Sequence, residues 1–391
     1  MNILVITEID WLKKPTYEMH HLSELFSLKG HNVYAIDIQD PGLISYEIFS
    51  KPVKNYHRIY DNASVTLFRT PVIPVKGLSR ISGYFSYDFI KNKIKENKID
   101  VVFLYSVVTN SQATIKACKE LKIPIIHRTF DMAHELIREN YLRNSVLKIE
   151  KIVYPKFDLV IANTPHMKKW AEEMGAKKVI VISQGVDPNI MKPVEKNIEL
   201  QRELKLKDSD KVAMYLGTLL PFDGLDNLFK QIPKIIQKIP SFKLLVVGGG
   251  KHLKKLESKV KKLKIQDMVI FTGYQPYRKV LEFCSVADLC VNTFEITEMT
   301  KKLSPQKIFD ILSCGKPLIA TPLDGLLFDF PKESKTIKYA NLEEFGEKII
   351  DFFSKSNTPE MYLHNRQFII ENYTWGKISE KMLNEISSIK N

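Results

Sequence analysis

Residues 1–38, MNILVITEIDWLKKPTYEMHHLSELFSLKGHNVYAIDI, spell out a strand, a helix and a second strand in order. Ile3–Ile6 is a short apolar run and Val33–Ile38 is another. Between them Met19, Leu22, Leu25 and Phe26 fall at three- and four-residue spacings, and Lys29-Gly30 supplies a glycine stop. Strands nearly continuous in Val, Ile and Leu belong to parallel sheets buried on both faces, so this βαβ unit predicts a doubly wound α/β domain.

The alternation runs on through Val65–Phe68, Val101–Leu104, Ile123–Ile126, Leu159–Ala162 and Val179–Ile182. After Gln184-Gly185-Val186-Asp187-Pro188 the chain is polar and charge-rich to about Lys211. It then starts afresh with Val212–Leu216, Leu244–Val247, Val269–Phe271, Leu289–Val291, Leu318–Ala320 and Ile337–Tyr339. We therefore expect two Rossmann-like domains, 1–190 and 191–375, facing across a cleft. A C-terminal helix over 376–391, with Ile378, Met382, Leu383 and Ile386 on one side, could pack on either domain, the first being our expectation. A length of 391 residues agrees with two sizeable domains at roughly 150 residues each. In such folds ligands bind at the carboxyl ends of the strands, which points to a two-substrate enzyme.

An apolar fraction of 44% with 26% charged residues excludes collagen-like, disordered and disulfide-scaffold classes. The net charge of +13 suggests a polyanionic partner: nucleic acid, an anionic membrane surface or a phosphorylated small molecule. No recognition-helix, zinc-finger or aromatic RNA-binding signature accompanies it, so nucleic acid is not expected. Four cysteines, Cys118, Cys284, Cys290 and Cys314, form neither a disulfide framework nor a close metal-binding pair. With no basic leader before the first strand and no apolar run approaching roughly 20 residues, the sequence predicts a cytoplasmic protein whose membrane contact is peripheral.

The most informative chemistry lies in Leu303-Ser304-Pro305-Gln306-Lys307-Ile308-Phe309-Asp310-Ile311-Leu312-Ser313-Cys314-Gly315-Lys316-Pro317. Ser304 is a good helix cap, Pro305 suits the first helical position and Gly315 the stop, which predicts a helix over Pro305–Ser313. Its N-terminus would offer free N–H groups to phosphate oxygens. Lys307 and Asp310 share a flank at three-residue spacing, a lysine for phosphates and a carboxylate for vicinal ribose hydroxyls. The ordinary alternative is a capped surface helix with a local Lys–Asp pair.

Five segments in order resemble glycosyltransferase family 4, the group 1 glycosyltransferases of GT-B fold. They are Met214-Tyr215-Leu216-Gly217-Thr218 with Gly224-Leu225-Asp226, Lys243 to Gly250, Val269 to Tyr274, Val286-Ala287-Asp288-Leu289, and the helix just described. Lys29 to Val33, Phe157 to Ile161 and Gln184 to Asp187 add weaker matches. The resemblance implies a nucleotide-sugar donor on the C-terminal domain, an acceptor on the N-terminal domain, and transfer with retention at the anomeric carbon. It implies no cofactor and no obligatory metal. It places Asp310 at the donor ribose, the backbone of Ser304, Pro305 and Gln306 at the diphosphate, Tyr274 at the base, and Gly217, Thr218, Gly248 and Gly249 beside the nucleotide.

The departures are specific. The family's first acidic residue, eight before Asp310, is here Lys302, with Lys301 beside it and Glu295 and Glu298 near. The basic pair that many relatives carry after the first strand of the second domain is replaced by Leu219-Leu220-Pro221-Phe222-Asp223. A departing nucleoside diphosphate needs a cation, so Lys307 is our catalytic candidate, with Lys301, Lys302, Lys13 and Lys14 as further expectations. The alternative for Lys13 and Lys14 is a solvated surface.

The first loop, Thr7 to Thr16, lacks the glycine pair common in relatives. Glu8 and Asp10 could orient an acceptor hydroxyl, with Lys13, Lys14 and Thr16 on the diphosphate side; the acids could equally partner a helix dipole. Where relatives carry a His beside the donor sugar, this chain has Phe130-Asp131. Asp131 is the polar candidate at the reaction centre, with His127 or His134 as partner, against a plain helix-cap role. His20 and His21 are adjacent on a helix, point apart, and suggest no metal.

Arg69 to Tyr87 mixes basic, aromatic and aliphatic residues and suits an anionic bilayer surface, the alternative being a segment packed on the core. The reading is a glycosyltransferase acting on a lipid-linked or surface-glycan precursor. The rivals are a catalytically silent relative that binds a glycan, lipid or partner enzyme, and a nucleotide-sugar 2-epimerase.

Overall fold

The computed structural model describes residues 1–39, 51–71, 79–137, 139–355 and 362–390. The chain divides into two compact units, Met1–Ser183 together with Trp375–Asn391, and Gln184–Thr374.

Among the described residues the first unit holds an eight-stranded sheet: β1 (Asn2–Ile6), β2 (Asn32–Ile38), β3 (Val53–Tyr56), β4 (Val65–Thr70), β5 (Val101–Leu104), β6 (Ile125–Thr129), β7 (Leu159–Ala162) and β8 (Val179–Val181). Their order is β3-β4-β2-β1-β5-β6-β7-β8. β1 pairs in parallel with β2 and β5, so chain order reverses direction there and the loops after β1 and β5 flank a crevice. The sequence does not announce β3, because Val53-Lys54-Asn55-Tyr56 is largely exposed and antiparallel to β4 at the sheet's edge. β6 begins at Ile125 rather than Ile123, since Pro124 has no N–H and joins the ladder only through its carbonyl, which accepts from Val102 N at 3.0 Å.

The second unit holds six parallel strands among its described residues: β9 (Lys211–Leu216), β10 (Phe242–Val247), β11 (Val269–Gly273), β12 (Leu289–Asn292), β13 (Leu318–Ala320) and β14 (Lys338–Tyr339), in order β11-β10-β9-β12-β13-β14. The reversal lies between β9 and β12, whose registers lock Leu289 to Ala213 and Val291 to Tyr215. Nearly every inward side chain of these strands is fully buried, from Tyr215 and Leu244 to Val291 and Ile319.

The last helix, Trp375–Lys390, belongs to the first unit. Trp375, Ile378, Met382 and Ile386 are buried in the core that holds Phe26 and Phe103. At about 1.5–3 kcal/mol for each large side chain removed from water, this stripe fixes the helix to its unit. The Trp375 ring stacks on His21 at 5.3 Å, and Lys29 pairs with Glu380 at 2.8 Å.

The units divide between Ser183 and Gln184, not between residues 190 and 191. Val186 N donates to the Tyr373 carbonyl at 2.9 Å, and the Arg366 guanidinium donates to the carbonyls of Pro188 at 2.8 Å and Met191 at 3.0 Å. Those bonds tie 184–191 into the second unit. Its far boundary lies before Trp375, because that indole is core of the first.

Candidate active site

In the second unit the side chains of interest gather where β9 and β12 diverge. The helix spans Gln306–Ser313, one residue later than expected, with Pro305 in extended conformation as its cap. Ser304 does not cap it: its buried hydroxyl donates instead to the Asp329 carboxylate. The cap gives no side-chain bond and Ile308 N donates to the Pro305 carbonyl at 3.0 Å, so the N–H groups of Gln306 and Lys307 and the positive end of the dipole are what an anion would meet. Gln306 donates through Nε2 to the Gly185 carbonyl at 2.5 Å, which fixes the first turn against the start of the unit.

Lys307 turns inward from that first turn. Its Nζ is sealed from solvent and has no hydrogen-bond partner. It lies 4.1 Å from the centroid of the Tyr215 ring and 4.3 Å from that of Phe294, and its stem passes over Gly217. Burial pushes the ammonium down to about 7, opposed by the charge of Asp223. A buried amine facing only ring faces and a distant carboxylate is under-satisfied, and it would gain from a dianion.

Asp223 stands in the loop after β9, where the resemblance leads one to expect a basic pair. It is fully buried, accepts from Leu225 N at 3.0 Å through Oδ1, and faces His252 Nδ1 at 2.9 Å through Oδ2. Burial raises its carboxyl, while the hydrogen bonds from His252 and Leu225 and the charges of His252 and Lys307 hold it down. The charges here are transposed relative to the expected basic pair: the acid sits in the loop after β9, and the cation arrives from the helix after β12. Sequence reading noted Asp223 as a departure but had no signal for His252, which meets it from 29 residues on.

Asp310 lies one turn along the helix from Lys307. Burial drives its carboxyl up to about 7, against hydrogen bonds from Tyr277 and Gln306. Tyr277 donates its hydroxyl to Oδ1 at 2.9 Å. Tyr277 was not anticipated, since nothing in its local sequence marks it.

The turns after β9 and β10 abut. Gly217 N donates to Val247 O and Leu219 N to Gly249 O, both at 2.9 Å. Gly248 has φ +145°, and a β-carbon there would fall 1.9 Å from the Gly217 carbonyl oxygen, so only glycine fits. Tyr274 packs the edge of its ring against Gly249 while remaining 56% exposed, and Thr218 is exposed. Gly217, Gly248, Gly249, Lys307 and Asp310 thus occupy one end of the sheet, with Tyr274 at its rim.

Lys302 and Lys301 do not join them as free cations. Lys302 Nζ donates to the Glu298 carbonyl at 2.8 Å, and Lys301 pairs with the Glu298 carboxylate at 2.7 Å. Both close the short turn Thr300–Lys302 on its own preceding residues.

In the first unit Glu8 lies in the β1–β5 crevice, where Oε2 accepts from Ser106 Oγ at 3.1 Å and Thr109 Oγ1 at 3.0 Å. Asp131 is close enough to feel the Glu8 charge, and burial with that charge pushes its carboxyl up to about 6. His127 is not beside them as a polar partner. It is buried, with Nδ1 on the Leu104 carbonyl at 2.9 Å, Nε2 3.3 Å from the Tyr154 hydroxyl, and its ring stacked on Phe157 at 4.7 Å. Burial lowers it to about 4, which makes it a neutral core residue. His134 faces Glu150 at 2.6 Å. Asp10 is buried in an ion pair with Arg69 at 2.8 Å that also engages Asp37. It organises the first loop by accepting from Lys13 N at 3.0 Å, while the Lys14 carbonyl accepts from Arg58 at 2.8 Å. Lys13 is exposed and Thr16 half-buried.

Sequence reading missed a buried clamp in this unit. Arg128 donates Nε to Glu18 Oε1 at 2.7 Å and a terminal nitrogen to Oε2 at 2.9 Å, then reaches the Ile182 carbonyl at 2.7 Å. Of the basic and aromatic stretch 69–87, residues 72–78 lie outside the described residues. At its far end Phe85 is 80% and Tyr84 46% exposed. Among the described residues no helix is long and apolar enough to cross a membrane.

Two doubly wound units, each with polar residues gathered at the carboxyl ends of its strands, define a two-part α/β protein. Residues 19–190 match the family described as glycosyltransferase family 4, and residues 196–368 match glycosyl transferases group 1. The chain belongs to the group 1 glycosyltransferases of family 4, with the GT-B fold. It is 22% identical over 286 residues to an alpha-monoglucosyldiacylglycerol synthase from Streptococcus pneumoniae, across 70% of this chain and 63% of that synthase, less than two thirds of the relative's length. Among solved structures it is similar to a sucrose-phosphate synthase from Thermosynechococcus elongatus (TM-score 0.79, 16% identity, 99% and 98% of the two chains). It is likewise similar to Anabaena HepE in complex with UDP (TM-score 0.73, 15% identity, 99% and 100%).

Proposed function

We propose that this protein transfers a sugar from a nucleoside diphosphate sugar to a hydroxyl of a lipid-linked or glycan acceptor, with retention at the anomeric carbon. The observation that carries this reading is the Lys307 ammonium, buried and without a hydrogen-bond partner beside Gly217, one helical turn from the Asp310 carboxyl. In this reading the donor diphosphate takes the open helix N–H groups and Lys307, the ribose hydroxyls take Asp310, and the base lies against Tyr274. Gly217, Thr218, Gly248 and Gly249 form the turns that lie beside the nucleotide.

The bond from the anomeric carbon to the diphosphate oxygen breaks, and one from the acceptor oxygen to the same face of that carbon forms. Charge grows on the departing diphosphate, and a preorganised cation in a water-poor site stabilises it more than water would. Lys307 is that cation, with Lys13 and Lys14 on the diphosphate side as further candidates. The acceptor's proton passes to the leaving diphosphate, while Asp131 and Glu8 orient the acceptor hydroxyl. No metal or other cofactor is assigned a role. The name of the pneumococcal relative, a diacylglycerol glycolipid synthase, and the exposed Phe85 and Tyr84 support a lipid acceptor met at an anionic membrane face from the cytoplasm.

The test begins with thermal-shift screening against UDP, GDP, ADP and TDP, then the matching nucleotide sugars with diacylglycerol in anionic vesicles. Formation of a glycolipid with retained configuration is expected. Neither transfer nor slow donor hydrolysis would make the protein a silent relative, and sugar conversion without acceptor would make it an epimerase.

A further inference from the structure

The second unit has a cavity of about 400 Å³ at the amino ends of its strands, lined by Cys314 and Gly315 past the end of the helix whose first turn carries Lys307. Its lining includes Lys211 at the start of β9, Ala287-Asp288 just before β12, and Lys316-Pro317 just before β13. These are the amino ends of the strands, where nothing in the glycosyl-transfer reading places a substrate.

The charge in this cavity is one-sided. Lys192, Lys196, Lys211, Lys316 and Lys355 line it against a single acid, Asp288. Asp288 is already committed, accepting from Val212 N at 2.8 Å. Lys316 donates to the Ala287 carbonyl at 2.9 Å and Lys355 pairs with Asp351 at 2.7 Å. The side chains of Lys192, Lys196 and Lys211 have no partner among the described residues and are exposed. Five lysines lining one concavity against a single committed acid focus a positive potential there, which a bound anion would relieve. The remaining wall is apolar and aromatic, with Leu281, Val286, Phe352, Phe353 and Tyr362.

We propose that this cavity binds a compact phosphate monoester, its phosphate held by Lys192, Lys196 and Lys211 and its ring-sized carrier packed on the aromatic wall. Three unpartnered ammonium groups suit a dianionic head that accepts from several point-charge donors at once. The volume lies near the lower end of ligand sites, roughly 300–1,000 Å³, which suits one ring with its phosphate better than a nucleoside diphosphate sugar. This assignment is independent of the donor site.

Calorimetry of the full chain with phenyl phosphate and with inorganic phosphate tests it. Phenyl phosphate binds at least about tenfold tighter than inorganic phosphate, and the K192A/K196A/K211A variant, altered only at exposed positions, loses at least about tenfold of that affinity while keeping its Tm. Asp310→Ala leaves phenyl phosphate binding intact, because that residue does not line the cavity. Absence of binding, equal affinity for the two probes, insensitivity to the triple substitution, or loss of binding in Asp310→Ala would each overturn the proposal.

Discussion

The Lys307 ammonium sits 4.1 Å above the centre of the Tyr215 ring, and neither it nor the Tyr215 hydroxyl has a hydrogen-bond partner. Two unsatisfied polar groups in one buried spot destabilise the empty protein and prepare it for an anion, the pattern of a site that trades stability for function. Lys307→Met removes the buried amine and keeps the stem, so it should raise Tm by about 2–4 °C, corresponding to roughly 1 kcal/mol in a domain of this size. The same variant should bind nucleoside diphosphate at least about tenfold more weakly and turn over about 100-fold more slowly. A variant with lowered Tm and unchanged nucleotide affinity would refute the role.

Nucleotide affinity should peak near pH 7. The Lys307 ammonium, lowered to about 7 in the empty site, regains its proton preference beside a diphosphate, so affinity is present in full below that pH and falls as pH rises. Asp310, raised to about 7, accepts strongly through both oxygens from the ribose hydroxyls when ionised and more weakly when protonated, so affinity falls as pH drops. Calorimetry from pH 5.5 to 9 checks the bell. Asp310→Asn should flatten its acid limb and Lys307→Met its alkaline limb.

Asp310→Ala should weaken nucleotide binding by about 10- to 100-fold, the scale of a lost charged hydrogen bond or two, with the fold unchanged by circular dichroism. Tyr277→Phe removes one donor from the same carboxylate and should cost less, about fivefold. It should also move the acid limb to higher pH, because the ionised form loses a partner. A Tyr277→Phe profile identical to wild type would show that the bond does not tune the carboxyl.

Gly248→Ala meets both a left-handed backbone, φ +145°, and a clash at 1.9 Å with the Gly217 carbonyl. The two turns must move apart, so unfolding stability should fall by more than about 3 kcal/mol, or the residual fold should lose nucleotide binding. Chemical denaturation with a binding titration on the same sample checks both.

Arg128→Met strips the buried Glu18 carboxylate of its ion-pair partner, leaving only the Tyr105 hydroxyl donating to it at 3.2 Å, and should destabilise the protein by about 3 kcal/mol. The double variant Glu18→Leu/Arg128→Met should recover most of that loss in denaturant titrations, which a merely disruptive cavity would not allow.

The sequence by itself determined the fold class and much of the donor helix. Burial on both faces of a parallel sheet forces continuous apolar strands such as Leu244–Val247, and helix periodicity with glycine stops forces the intervening pattern, so both sheets, apart from the exposed edge strand β3, are legible from composition and spacing. Lys307 and Asp310 were readable because their three-residue separation sets them on one flank. What only tertiary structure decided are meetings between distant elements: Tyr277 with Asp310, His252 with Asp223, Tyr215 and Phe294 around Lys307, and Arg128 with Glu18. It also separated lysines of equal promise in the sequence. Lys302 is spent on the Glu298 carbonyl, whereas Lys307 is held buried without a partner. Spacing fixes which face of a helix a residue occupies, but desolvation and pairing depend on what packs against that face, and that is set by crossovers tens of residues long.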